Sequence, residues 1–186
     1  MPITTLDSRT ALVVIDLQRG LAAAPFVHPF PGIVSRAHAL AAAFRQRGLP
    51  VAWVTVDGMP PGRTERSRRF AELPTDFAEL VPELVRQPGD HLVTKRTPGA
   101  FTGTGLDVHL RKLGVTQIVL AGVATAGGVE VTGRHAFELG FHVGFAVDAM
   151  TDQDAATHEH SVTRIFPKLG ETGTTQDFVD LLQRSA

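Results

Sequence analysis

Two rhythms of apolar residues alternate along this chain. Ala11–Asp16, Pro50–Val56, His91–Lys95, Gln117–Ala121 and Phe141–Asp148 are short runs, most of them nearly continuous in Val, Ile, Leu and Ala. That pattern predicts strands buried on both faces. Ile33–Arg47 instead places Val34, Ala37, Leu40, Ala41 and Phe44 at helical spacing, closed by Gly48. Leu106–Leu113 predicts a second helix stopped by Gly114, and Val129–Leu139 a third stopped by Gly140, with Glu130 and Arg134 spaced as an i,i+4 pair. Thr151-Asp152-Gln153-Asp154 supplies an N-cap and first-turn carboxylates for a fourth helix reaching about Phe166, and Thr175–Arg184 predicts the last. Strand and helix in alternation predict an α/β fold. A single three-layer domain over residues 1–186 is expected, its central sheet mostly parallel with helices on both faces. Asp57–Arg69, rich in Gly, Pro and Arg, reads as a long loop of the kind that serves as a lid or mobile segment.

Composition narrows the function. A net charge of −1 with His neutral gives no basic surface for nucleic acid or an anionic membrane. No apolar run approaches the ~20 residues of a membrane span. The first residues lack the basic-then-apolar order of a signal peptide. The chain has no cysteine, which excludes disulfides and thiolate metal sites and fits a cytoplasmic protein.

Three places carry candidate chemistry. Asp16 closes the first strand, and ligands of parallel sheets sit beyond the carboxyl ends of strands, although a turn-capping Asp is common there too. Lys95 ends another strand in the same way; alone it reads as a solvated charge, but beside Asp16 it would tune that carboxyl. The third is Ala121-Gly122-Val123-Ala124-Thr125-Ala126-Gly127-Gly128-Val129, a strand–turn–helix corner of small residues. Its N–H groups could hold an oxyanion or a substrate carboxylate, or the small residues could serve close packing alone. His158-Glu159-His160 tempts a metal assignment, but i,i+2 positions on a helix face different ways. No metal or other cofactor is expected. His109 and His135 read as solvated helix positions, while Phe26, Phe101 and Trp53 fit either the core or an apolar pocket.

These segments together resemble the isochorismatase-like hydrolases, the cysteine hydrolase superfamily. Gly122, Val123, Ala124, Thr125, Val129, Thr132, Ala136, Gly140 and Phe141 fall in step with the family's active-site turn. Val13-Val14-Ile15-Asp16-Leu17-Gln18 resembles its first strand, and Val93-Thr94-Lys95 with Gly99–Asp107 its lysine segment. The resemblance implies Asp16 and Lys95 as catalytic residues at the ends of neighbouring strands, with Gln18, Phe101, Ala124, Thr125 and Gly128 around the substrate. It implies a non-proline cis peptide at Val123–Ala124 and a homo-oligomer, dimer or larger. Gly128 stands where the family carries its cysteine nucleophile, leaving space for water or part of a substrate. The metal-binding relatives' His after the second strand is missing from Asp57-Gly58-Met59.

Without a thiol, two readings stand. One, implied by the resemblance because true isochorismatases of the family also carry Gly at that position and cleave a vinyl ether with the Asp as proton donor, is a hydrolase of a small molecule that works by Asp16/Lys95 acid–base chemistry on a vinyl ether or similar bond, without a covalent intermediate. The other is a catalytically silent relative that binds a small ligand or serves as an interaction protein.

Overall fold

A computed structural model describes residues 3–65 and 73–184. Six strands form one sheet in the order β3-β2-β1-β4-β5-β6, and every pairing in it is parallel. They are β1 (Thr10–Ile15), β2 (Val51–Val56), β3 (His91–Lys95), β4 (Gln117–Val123), β5 (His142–Thr151) and β6 (Glu171–Gly173). β1, β2 and β4 are buried along their whole length, which is why their sequences show no polar alternation. The three-residue β6 is too short to leave a periodic signal and was not anticipated from sequence.

The helices are α1 (Phe30–Gln46), α2 (Leu106–Lys112), α3 (Glu130–Glu138), α4 (Ala155–His160), α5 (Phe166–Leu169) and α6 (Thr175–Arg184). α1 and α6 cover one face of the sheet, packing Leu40, Phe44 and Phe178 against Leu12, Val14, Trp53 and Val119. α2, α3 and α5 cover the other, where Leu110, Ala136 and Phe166 meet Val13, Val54, Leu120 and Phe145. Alternate residues of β1 thus enter opposite cores, as the period-2 pleat demands. α4 and α5 are joined through the wide helical turn Ser161–Ile165, so the predicted fourth helix runs on to Leu169. Residues 57–65 of the expected long loop form no regular element, and residues 66–69 lie outside the described residues. Among the described residues no helix is long and apolar enough to cross a membrane.

The strand order places the site. From β1 the chain steps outward through β2 to β3, then returns to the far side of β1 with β4. The carboxyl ends of β1 and β4 therefore flank a topological switch point, where an α/β sheet opens a crevice.

Candidate active site

Asp16 follows β1 directly and sits at φ 54°, the one described non-glycine residue in the left-handed region. That conformation disfavours side chains with a Cβ, though Asp tolerates it better than most. It turns the chain out of the sheet and leaves the residue 5 % exposed, with its carboxyl in the crevice. Lys95 ends β3 and is 2 % exposed. The expectation that these two strands are neighbours is corrected by the sheet order, since β2 lies between them. The long lysine side chain spans that gap, and its Nζ donates to Asp16 Oδ2 at 2.8 Å. It donates also to the carbonyls of Pro98 at 2.9 Å and Thr97 at 3.3 Å, which uses all three ammonium protons.

The two carboxyl oxygens of Asp16 differ. Oδ2 holds the lysine, whereas Oδ1 is buried without any hydrogen-bond partner among the described residues. Burial pushes the carboxyl up from its ordinary 3.8 to about 6, and the adjacent Lys95 charge limits the rise. The group can thus carry a proton on Oδ1 at mildly acidic pH, up to about 6.

The third wall is the corner after β4. Gly122 is built for close approach: its φ is +110°, and a Cβ there would lie 2.0 Å from Ile15 O. The Val123–Ala124 peptide is cis, as the resemblance implies. The wide turn Thr125–Val129 then leads into α3. Gly128 does not leave an open space at its side-chain position, contrary to the expectation from sequence. A Cβ on it would lie 2.8 Å from Ile15 Cγ2 and 3.2 Å from Asp16 Oδ2. The Ile15 side chain of β1 would have to shift before a nucleophile's stem could fit there. Gly128 O accepts from Thr132 Oγ1 at 2.6 Å, and that oxygen accepts in turn from Ala100 N, tying the corner to the lysine segment.

These walls enclose a cleft of about 430 Å³. Asp16, Lys95, Ala124 and Gly128 line it, with Phe26 and Met59 among its apolar contributors. Gln18 and Phe101 do not. Gln18 is fully buried and splints backbones, its Nε2 donating to Val56 O and Phe77 O while its Oε1 accepts from Val56 N. Phe101 stacks on Phe141 in the core, and Trp53 is a core residue whose indole donates to Asp90. Thr125 is also fully buried and turns away from the cleft to share a 2.8 Å hydrogen bond with His158 Nδ1. Sequence spacing gave no hint of that partner, because it arrives from α4. Burial, and next the nearby His28, lower the His158 pKa from its ordinary value. The histidines read as solvated are half-buried instead: His109 stacks on His91 with ring centroids 3.7 Å apart, and His135 packs edge-on to Phe101. Among the described residues no group of three or more His, Cys, Asp or Glu side chains is placed to hold a metal ion.

One cleft residue carried only a structural reading in the sequence. Asp152 follows β5 directly and lines the cleft. Its Oδ2 accepts from Ala126 N in the corner at 2.8 Å and its Oδ1 from Gln153 N at 2.8 Å. The apolar run ending at Asp148 hid its position, because β5 continues to Thr151 and only then places Asp152 at a strand end as Asp16 is.

Comparison with known proteins agrees with this architecture. The Isochorismatase domain family matches residues 10–177. The chain is 40% identical over 179 residues to the isochorismatase family protein YwoC of Bacillus subtilis (strain 168), covering 92% of this chain and 93% of that one. It is 30% identical over 213 residues to the ureidoacrylate amidohydrolase RutB of Variovorax paradoxus (strain S110), covering 96% and 83%. A solved isochorismatase family protein from Burkholderia thailandensis superposes with a TM-score of 0.92 at 39% identity, covering 96% of this chain and 98% of that chain. Sequence, sheet order and site geometry converge, and the chain belongs to the isochorismatase-like hydrolase family.

Proposed function

We propose that the protein hydrolyses a small molecule by acid–base chemistry at Asp16, with a vinyl ether or similar bond as the scissile group and no covalent intermediate. The observation that carries this reading is the asymmetry of Asp16: Oδ2 is pinned by Lys95 while Oδ1 has no partner. A buried carboxyl held that way is a proton donor waiting for an acceptor. Protonation of an electron-rich double bond leaves a cation that water attacks, so no nucleophile from the protein is needed. The cleft offers none that is free, since the hydroxyl of Thr157 in its wall donates to Asp154 and Thr125 faces His158.

The test screens vinyl ethers, amides and ureas against wild type and Asp16→Asn. Hydrolysis of at least one substrate, lost roughly 10²–10⁴-fold in Asp16→Asn, is the expected result. Mass spectrometry of enzyme quenched during turnover should show no adduct. A substrate-derived adduct on Thr125 or any other side chain overturns the non-covalent route. Ligand binding without turnover of any class leaves a binding protein in place of the hydrolase.

A further inference from the structure

The charge of the cleft restricts what can enter it. Among the described residues the cation in its wall is Lys95, and none of that ammonium's three protons is left for a ligand. Arg96, the next cation along the chain, is paired with Asp57 at 2.9 Å and 3.2 Å and does not line the cleft. Asp152 does, and both of its carboxyl oxygens accept backbone N–H groups, which fixes the side chain in the wall. One of those N–H groups belongs to Ala126, in the corner that would otherwise offer its amides to an anion. One N–H of that corner is therefore already taken by a carboxylate of the protein's own. The remaining lining includes apolar side chains such as Phe26, Val56, Met59 and Val131.

We propose that Asp152 makes this cleft select substrates without negative charge, an apolar body bearing a neutral or cationic polar group, and reject carboxylates. This rests on the cleft being the substrate site of the proposed hydrolase. A fixed carboxylate in a partly desolvated wall repels a like charge and attracts an opposite one, which separates such ligands by roughly ten- to hundredfold.

Two matched sets of probes test it. The first is ethyl phenyl ether carrying a para carboxamide, carboxylate or aminomethyl group; these hold no vinyl ether to hydrolyse, and recovery of each probe intact shows that they report binding. Titration is followed by the backbone amide NMR signals of Ala126, Gly127 and Gly128. The second is the corresponding phenyl vinyl ethers, whose hydrolysis releases a phenol that is read by absorbance. The expected result is that the aminomethyl and carboxamide ethers bind at millimolar concentration or below, with the carboxylate at least tenfold weaker than the aminomethyl ether. High salt should compress that ratio. Asp152→Asn should bring the members to within a few-fold of one another. Equal or tighter binding of the carboxylate overturns the proposal. So does a ratio unchanged in Asp152→Asn, or the absence of binding by every probe. The wild-type ranking and its salt dependence decide the matter even if the variant does not fold. Binding in the expected order with no vinyl ether hydrolysed upholds the charge selection and counts against the vinyl ether as scissile group, and the hydrolase reading falls with it if no amide or urea is turned over either.

Discussion

Lys95 acts on Asp16 through charge, and that action can be measured. Burial raises the Asp16 carboxyl to about 6, with the lysine charge opposing. In the acid role proposed for it, Asp16 must be protonated, so activity should hold below about pH 6 and fall tenfold per unit above it. Lys95→Met keeps much of the side-chain volume and removes the cation. The opposing effect then disappears, the carboxyl rises further, and the descending limb should move upward by about one pH unit or more. A limb that stays put or moves down assigns the titration to another group. Removing one member of a buried pair should also cost roughly 3–5 kcal/mol of stability, so residual activity has to be read on folded material. Gly128 sets a different limit. The Cβ of a side chain introduced there would lie 2.8 Å from Ile15 Cγ2. Gly128→Cys should therefore lose about 1–3 kcal/mol to overpacking, seen as a lower melting temperature. Ile15→Ala removes the offending methyl, so the double variant should be more stable than the two single losses added together. Strict additivity would show that the clash is relieved some other way.

At the scale of elements, the corner after β4 is held from beneath by β1. Gly122 lets Ile15 O come within 2.0 Å of where a Cβ would stand, at a φ of +110°. Backbone cannot yield there without parting β1 from β4. Gly122→Ala should therefore cost more than about 4 kcal/mol, in the rare severe class of single substitutions, and leave little folded protein. A melting temperature near wild type would mean that the two strands can separate locally at small cost. The same corner shows what the sequence can and cannot say. Five strands were legible because burial on both faces makes their composition nearly uniform, and α1, α2, α3 and α6 because glycines, caps and 3.6-residue spacing bound them. Asp16 and Lys95 were legible as polar residues closing apolar runs. Thr125 and His158, 33 residues apart, were not, because only the return of α4 over the corner brings them to 2.8 Å. Gln18 lies outside the cleft lining for a related reason. Its amide serves Val56 and Phe77, partners that exist only after the sheet and the segment beyond β2 have closed around it.

For the molecule as a whole, the outer surface of the α2 and α3 layer carries more apolar area than its neighbours require. Val108 is 50% exposed, Leu113 40% and Phe137 53%, all on these two helices or their ends. Arg111 Nη2 donates to Leu139 O at 2.6 Å, which draws the C-terminal ends of the helices together. Single exposed apolar residues are ordinary, but several on adjoining helices favour cover by another chain. A second copy of this chain is the occupant we propose, since a two-fold interface needs only one self-complementary patch of roughly 800 Å² per partner. Light scattering at micromolar concentration should then give a multiple of 19.9 kDa. Phe137→Glu combined with Val108→Glu places two like charges on each side of the symmetric contact, and should return the protein to its monomer mass. Neither side chain lines the cleft, so the proposed hydrolysis should survive the change unless assembly itself shapes the cleft. A wild-type mass of 19.9 kDa removes the assembly, and an oligomer unmoved by the two glutamates places its interface on another face.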